Sequence, residues 1–331
     1  VMKKFSVVML LCLMIGLFNL TVLADSISVY TSLDEQLARV VFNEYTAETG
    51  VKIEWVRLST GEAVSRMMAE KNNPQASIWV GGVGLGHIQA KDSGLTIPYV
   101  AENAQYVPDN FKDEDNYWIG IYAGPLCFVS NTQRLEELGL AAPTSWADLI
   151  KPEYEGYIQV ANPGTSGTSY NVLATMVQLM GEEEGFEYMK KLDKNIVQYT
   201  RSGSKPGKNA AIGEVPIGIG YAHDQVKLKA QGYPLVITFP EEGGGYEVAS
   251  ISLIKNGKET ELAKELYNWL LSKKAAEIYA SFYVVPFRDV KLMDGAVPIS
   301  EVNTIDQDDV WAGNNKERLV EKWNEEVYSQ H

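Results

Sequence analysis

The chain has 331 residues and a net charge of −14, with 43 acidic side chains against 29 basic ones. A surface so acidic disfavours nucleic acid and anionic membrane as partners. Its two cysteines are Cys12, in a segment expected to be removed, and Cys127. No disulfide is therefore expected despite an oxidising destination, and stability must come from a hydrophobic core.

Lys3 and Lys4 precede the apolar run from Phe5 to Phe18, and Val22-Leu23-Ala24 supplies small-residue cleavage chemistry. Residues 1–24 are thus expected to be a secretory signal peptide cut before Asp25, which places the mature protein in the periplasm. The run is short for a membrane span and lacks a basic stop-transfer segment. Leu11 before Cys12 fits poorly to a lipid-modified cysteine. Loss of Lys3 and Lys4 takes the charge from −14 to −16. About 300 remaining residues can bury one large core or two medium ones.

From Asp25 the pattern alternates strand and helix. Ser26 to Tyr30 predicts a strand, Leu37 to Tyr45 a helix stopped by Gly50, Val51 to Trp55 a strand, Ala63 to Glu70 a helix and Ser77 to Val80 a third strand. This βαβαβ order opens a doubly wound α/β sheet. Gly81, Gly82, Gly84 and Gly86 follow, but their spacing is a weak match to a dinucleotide fingerprint and fits a tight turn equally well. His87 is expected on a helix surface. The run YWIGIYAGPLCFVS, Tyr117 to Ser130, predicts a long strand broken at Gly124-Pro125, suited to crossing between two lobes. Helices follow at Trp146–Ile150, Asn171–Met180 and Glu183–Leu192, with strands at Tyr157–Val160 and Val197–Thr200. Tyr246 to Leu253 predicts a second crossing strand, Leu262 to Tyr279 one amphipathic helix, and Lys316 to Tyr328 a closing helix.

Four places carry candidate chemistry. Ser32 with Glu35 and Ser59 with Glu62 have capping-box spacing, and Thr60-Gly61 follows the second. Thr165-Ser166-Gly167-Thr168-Ser169 offers more hydroxyls than one helix cap needs. Hydroxyls, free amides and a helix's positive end together suit an anion, above all phosphate. Arg201-Ser202-Gly203-Ser204-Lys205 adds a cationic, hydroxyl-rich turn, for which a solvated loop is the competing reading. In GEVPIGIGYAHDQVKLKAQG, Ile217, Ile219 and Tyr221 alternate with Gly218 and Gly220 as a buried strand that His223 and Asp224 end. A helix from Gln225 to Gln231 is expected behind them, with Asp224 as its N-cap the competing reading.

The stretches SISVYTSLDEQ, STGEAVSRMMAEKNNPQASIWVGG, TSWADLIKPEYEGYIQVANPGTSGTSY and GEVPIGIGYAHDQ resemble the substrate-binding proteins of bacterial ABC importers, in the ferric-binding-like family with the type II periplasmic-binding-protein fold. The resemblance runs over the mature chain and implies two lobes, each a doubly wound sheet, joined by two crossing strands. The expected division is 25–122 for the first part of lobe 1, 123–245 for lobe 2 and 246–331 for the return to lobe 1 and the C-terminal helices. Ferric-binding members place adjacent tyrosines after the strand equivalent to Gly213–Gly220, whereas this chain has Ala222-His223-Asp224. It is similar instead to the sugar-phosphate-binding branch, in which a His-Asp pair and a later glutamate, here Glu247, hold sugar hydroxyls.

The resemblance implies a monomeric, non-enzymatic binder that passes a phosphorylated sugar to an inner-membrane ABC permease. The expected ligand set is Ser32, Thr60, Gly61, Ser166, Gly167, Thr168, Ser202, Ser204, His223, Asp224 and Glu247. No cofactor, structural metal or catalytic residue is expected. Fe3+ remains an alternative ligand, and a secreted sugar phosphatase the alternative from another class.

Overall fold

The computed structural model describes residues 25–328; the expected signal peptide lies outside the described residues. In the first lobe, β1 (Ser26–Thr31), β2 (Lys52–Arg57) and β3 (Ile78–Val83) run parallel in the order β2-β1-β3, with α1 (Glu35–Thr49), α2 (Thr60–Ala69) and α3 (Gly84–Asp92) after them in turn. α1 and α2 follow from their apolar spacing. In α1, Leu37, Ala38, Val41, Phe42 and Tyr45 are buried on one stripe, and Gly50 stops it at φ 77°, a left-handed conformation that glycine adopts without strain. β4 (Thr96–Ile97) is a short edge pair.

The long strand β5 (Ile119–Asn131) and β10 (Tyr246–Ile254) join the two lobes. Up to Pro125, β5 pairs antiparallel with β10; from Leu126 it pairs with β8 (Ile217–Tyr221). The expected break at Gly124-Pro125 is the point of transfer, because proline donates no ladder hydrogen bond. The strand order is continuous, β2-β1-β3-β10-β5-β8-β6-β7, with β6 (Ile158–Ala161) parallel to β7 (Ile196–Thr200) and to β8. β9 (Leu235–Thr238) and β11 (Val285–Pro286) flank β5.

The second lobe adds α4 (Thr132–Leu138), α5 (Gly167–Met180), α6 (Glu182–Asp193), α7 (Lys205–Ala211) and α8 (Ala222–Ala230). α9 (Thr260–Leu270) and α10 (Lys273–Ala280) return to the first lobe, and α11 (Asp309–Glu326) ends the described chain. Each lobe has its own core. Trp146, Tyr170, Phe186 and Trp323 centre the second, while Ile27, Phe42, Tyr45 and Tyr267 belong to the first.

Three local expectations are corrected. The segment Leu262 to Tyr279 is two helices, because Ser272 caps the second by accepting from Ala275 N–H at 3.2 Å. His87 is fully buried rather than on a helix surface: it stacks on Trp79 at 3.8 Å and bonds Ser252 Oγ and the Gly81 carbonyl. His223 and Asp224 do not end the strand, and Asp224 is no N-cap. The helix begins at Ala222, Tyr221 takes the cap position, and both polar residues sit in the first turn.

Candidate functional site

The strands of both sheets end toward one cleft, and there six helices begin. Asp34 caps α1, Ser59 α2, Val83 α3, Ser166 α5, Ser204 α7 and Tyr221 α8, and all six residues line one cavity of ≈ 60 Å3. Six helix N-termini, each carrying partial positive charge, thus meet at that space.

Nine of the eleven residues expected from sequence line it: Ser32, Thr60, Ser166, Gly167, Thr168, Ser204, His223, Asp224 and Glu247. Ser32 is not part of a capping box; Asp34 takes that role and Ser32 Oγ accepts from Trp79 Nε1 at 3.0 Å. Glu62 does accept from Ser59 N–H at 3.1 Å. Thr60 Oγ1 accepts from Val83 N–H at 3.3 Å, and Ser166 Oγ caps α5 through Ser169 N–H at 3.4 Å. The turn carrying Ser204 lies directly on the 166–168 loop: a Cβ at Gly203 would come within 2.1 Å of Thr168 Oγ1. Only glycine permits that approach.

Gly61 and Ser202 stand outside the cavity lining. Gly61 N–H donates to the Thr165 carbonyl across the cleft at 3.1 Å, and Ser202 Oγ accepts from Arg57 at 3.3 Å. They join the lobes around the cavity.

The opposite chemistry gathers where β10 and α8 meet. Glu247 is 6% exposed, and its Oε1 lies 3.3 Å from His223 Nε2. Burial, with the neighbouring Asp224 adding to it, pushes the Glu247 carboxyl well above the usual range. Burial pushes His223 down, toward the neutral imidazole. Both groups are thus shifted toward their neutral forms where they face each other. His223 Nδ1 has no partner among the described residues. A Cβ at Gly124 would meet it at 2.6 Å, so β5 must be bare there. Tyr122, Tyr221 and Phe282 supply apolar walls.

Two cations of the lining, Lys227 and Arg57, were not among the residues expected from sequence. Lys227 lines the cavity, 2.9 Å from Asp34 of the other lobe, with its ammonium over the Phe282 ring. Burial acts to raise the Asp34 carboxyl, but Lys227 and then Lys208, at 3.4 Å, outweigh it and hold Asp34 below the usual range. Arg57, at the end of β2, lines the same space. Lys227 had a signal, being three residues beyond Asp224 and hence on the same helix face. Arg57 and Asp34 had none, because their partners lie more than a hundred positions away. Glu62 and Arg201 add a further interlobe pair at 2.5 Å. The lobes stand closed over the site.

Two lobes closed on a polar interlobe cavity define a solute-binding protein. Residues 87–311 match the family model described as bacterial extracellular solute-binding protein, and the chain belongs to that family, in its ferric-binding-like division. An uncharacterized protein of Haemophilus influenzae is 35% identical over 310 residues, 90% of each chain. The periplasmic binding protein AfuA of Actinobacillus pleuropneumoniae, solved with fructose-6-phosphate bound, is 34% identical with TM-score 0.89, covering 92% of this chain and 99% of that one. A ferric binding protein of Campylobacter jejuni, 20% identical with TM-score 0.75 over 90% of this chain and 98% of that one, shares the fold. The family captures small solutes for ABC importers, and the relatives described by function are binding proteins.

Proposed function

We propose that this chain captures a phosphorylated small sugar of the hexose phosphate class in the periplasm, closes on it as a monomer, and presents it to an ABC permease. The observation that carries this reading is the division of one cavity into two chemistries. Hydroxyls and helix N-termini from Ser59-Thr60, Ser166-Gly167-Thr168 and Ser204 suit a phosphate, while Asp224, His223 and Glu247 suit sugar hydroxyls. The net charge of −14 opposes long-range attraction of an anion, so recognition is local, through the helix ends, Arg57 and Lys227. The bound fructose-6-phosphate of AfuA supports the same ligand class.

Iron fits less well. The Tyr221 hydroxyl is engaged by Asn171 Nδ2 at 3.0 Å, and burial raises its pKa well above the ordinary value. Fe3+ requires anionic oxygen ligands, and this phenol is held in its protonated form. The test is mass spectrometry of the small molecule released when gently purified protein is denatured. A phosphorylated sugar is expected; iron without one would refute the reading.

A further inference from the structure

Lys316 of α11 is 5% exposed, and its ammonium stands 5.7 Å from the centre of the Tyr170 ring. No carboxylate forms an ion pair with it among the described residues. It lines a crevice of ≈ 450 Å3 between the lobes, with Val64 and Met68 of α2 and Gln89 of α3 on one side, and Gly164 and Val320 with Lys316 on the other. Gln89 Oε1 is buried there without a partner. The Gly61–Thr165 hydrogen bond closes the crevice at the cleft end.

The two walls belong to different lobes. α2 and α3 follow strands of the first sheet, whereas Leu319 and Trp323 of α11 are buried in the second-lobe core. The first-lobe wall offers Lys316 no charge, being Gly61, Val64, Ser65, Met68, Gln89 and Ser93. From α11 itself Glu317 and Glu321 face the crevice, but both are exposed. From α5 the ring of Tyr170 packs against Lys316, and burial keeps that phenol protonated. Burying an ammonium without a carboxylate is unfavourable, and the uncharged first-lobe wall faces Lys316 across the crevice.

We propose that Lys316 is a brake on closure: its charge biases the ligand-free chain toward an open form, and the bound solute must overcome that bias. The inference rests on closure around a solute, not on which solute. Burial alone lowers the ammonium to about 8 in the closed form, against an ordinary value of 10.5. Closing therefore releases a proton in the interval between those values, and closure becomes more favourable as pH rises through it.

The experiment compares the wild type with Lys316→Met as full-length mature chains, stripped of co-purified ligand by unfolding and refolding. Small-angle scattering without ligand is expected to give a smaller radius of gyration for Lys316→Met. Calorimetry with fructose 6-phosphate is expected to give at least threefold tighter binding for the variant at pH 7, and wild-type affinity that rises from pH 7.5 to 9 while the variant's stays flat. Equal radii together with equal or weaker affinity would overturn the proposal. Should Lys316→Met not refold, Lys316→Gln and wild-type proton release, measured at pH 9 in buffers of different ionisation enthalpy, decide it; zero release overturns it. The scattering arm needs no ligand, so failure of the hexose phosphate reading leaves it intact.

Discussion

Asp224 and Glu247 illustrate how side chains of one type take different roles from their surroundings. Glu247, buried on β10, is pushed toward its neutral form 3.3 Å from His223, whereas Asp224 stands half-buried in the first turn of α8 at the cavity wall. Asp224→Ala would leave a ligand hydroxyl unpaired, costing about 1–3 kcal/mol. Titration calorimetry with a hexose phosphate should show a loss of roughly five- to hundredfold. His87 gives a separate prediction. Burial lowers it to about 3 from 6.5, so the folded chain binds fewer protons than the unfolded one below pH 6.5. Its contribution is fully present above 6.5 and is lost as pH falls toward 3, by about 1.4 kcal/mol per pH unit. Urea unfolding of His87→Gln over that range should show a shallower acid decline. His223, Asp224 and Glu247 were legible because they follow a glycine-stripped strand or match a family position. The burial of His87 was not, since one imidazole in a glycine-rich turn carries no period that distinguishes core from surface.

Among the elements, α5 does most to position the anion side. Its buried face packs Val172, Leu173 and Met176 into the second core, and this fixes the direction of its first turn. Ser166 caps that turn, so its loss weakens the helix as well as the site; Thr168 is the cleaner probe. Thr168→Ala should weaken hexose phosphate and inorganic phosphate alike by tenfold or more, equivalent to a charged hydrogen bond of about 1.5–3 kcal/mol. A loss confined to the sugar phosphate would move the phosphate elsewhere. The hydroxyl excess in Thr165–Ser169 made this loop visible in the sequence, as apolar period made α1 and α2 visible and Gly50 marked the end of α1. The break between α9 and α10 was hidden because the apolar stripe runs on through it and only Ser272 marks the second start.

At the scale of the molecule, closure assembles the site, and that is the part the sequence conceals most. Pro125 announced the crossing strand, yet nothing local pairs Asp34 with Lys227, 193 positions apart. This pair spans the cleft with both side chains mostly buried, so it strengthens the closed form beyond the worth of a surface bridge. Asp34→Asn and Lys227→Met should each speed ligand release about tenfold in stopped-flow measurements, and the double variant by little more than either alone. Fully additive effects would mean that the two residues act separately.

The central claim is that one cavity requires both a phosphate and a sugar, and thermal unfolding of the ligand-stripped chain tests it most directly. At a hundred times its dissociation constant a ligand stabilises the folded form by about 2.7 kcal/mol, a readily measured rise in melting temperature. Fructose 6-phosphate or another hexose phosphate should produce that rise, fructose none, inorganic phosphate little, and Fe3+ no coloured complex. An equal rise with the unphosphorylated sugar, or a coloured iron complex with no response to hexose phosphates, would contradict the account.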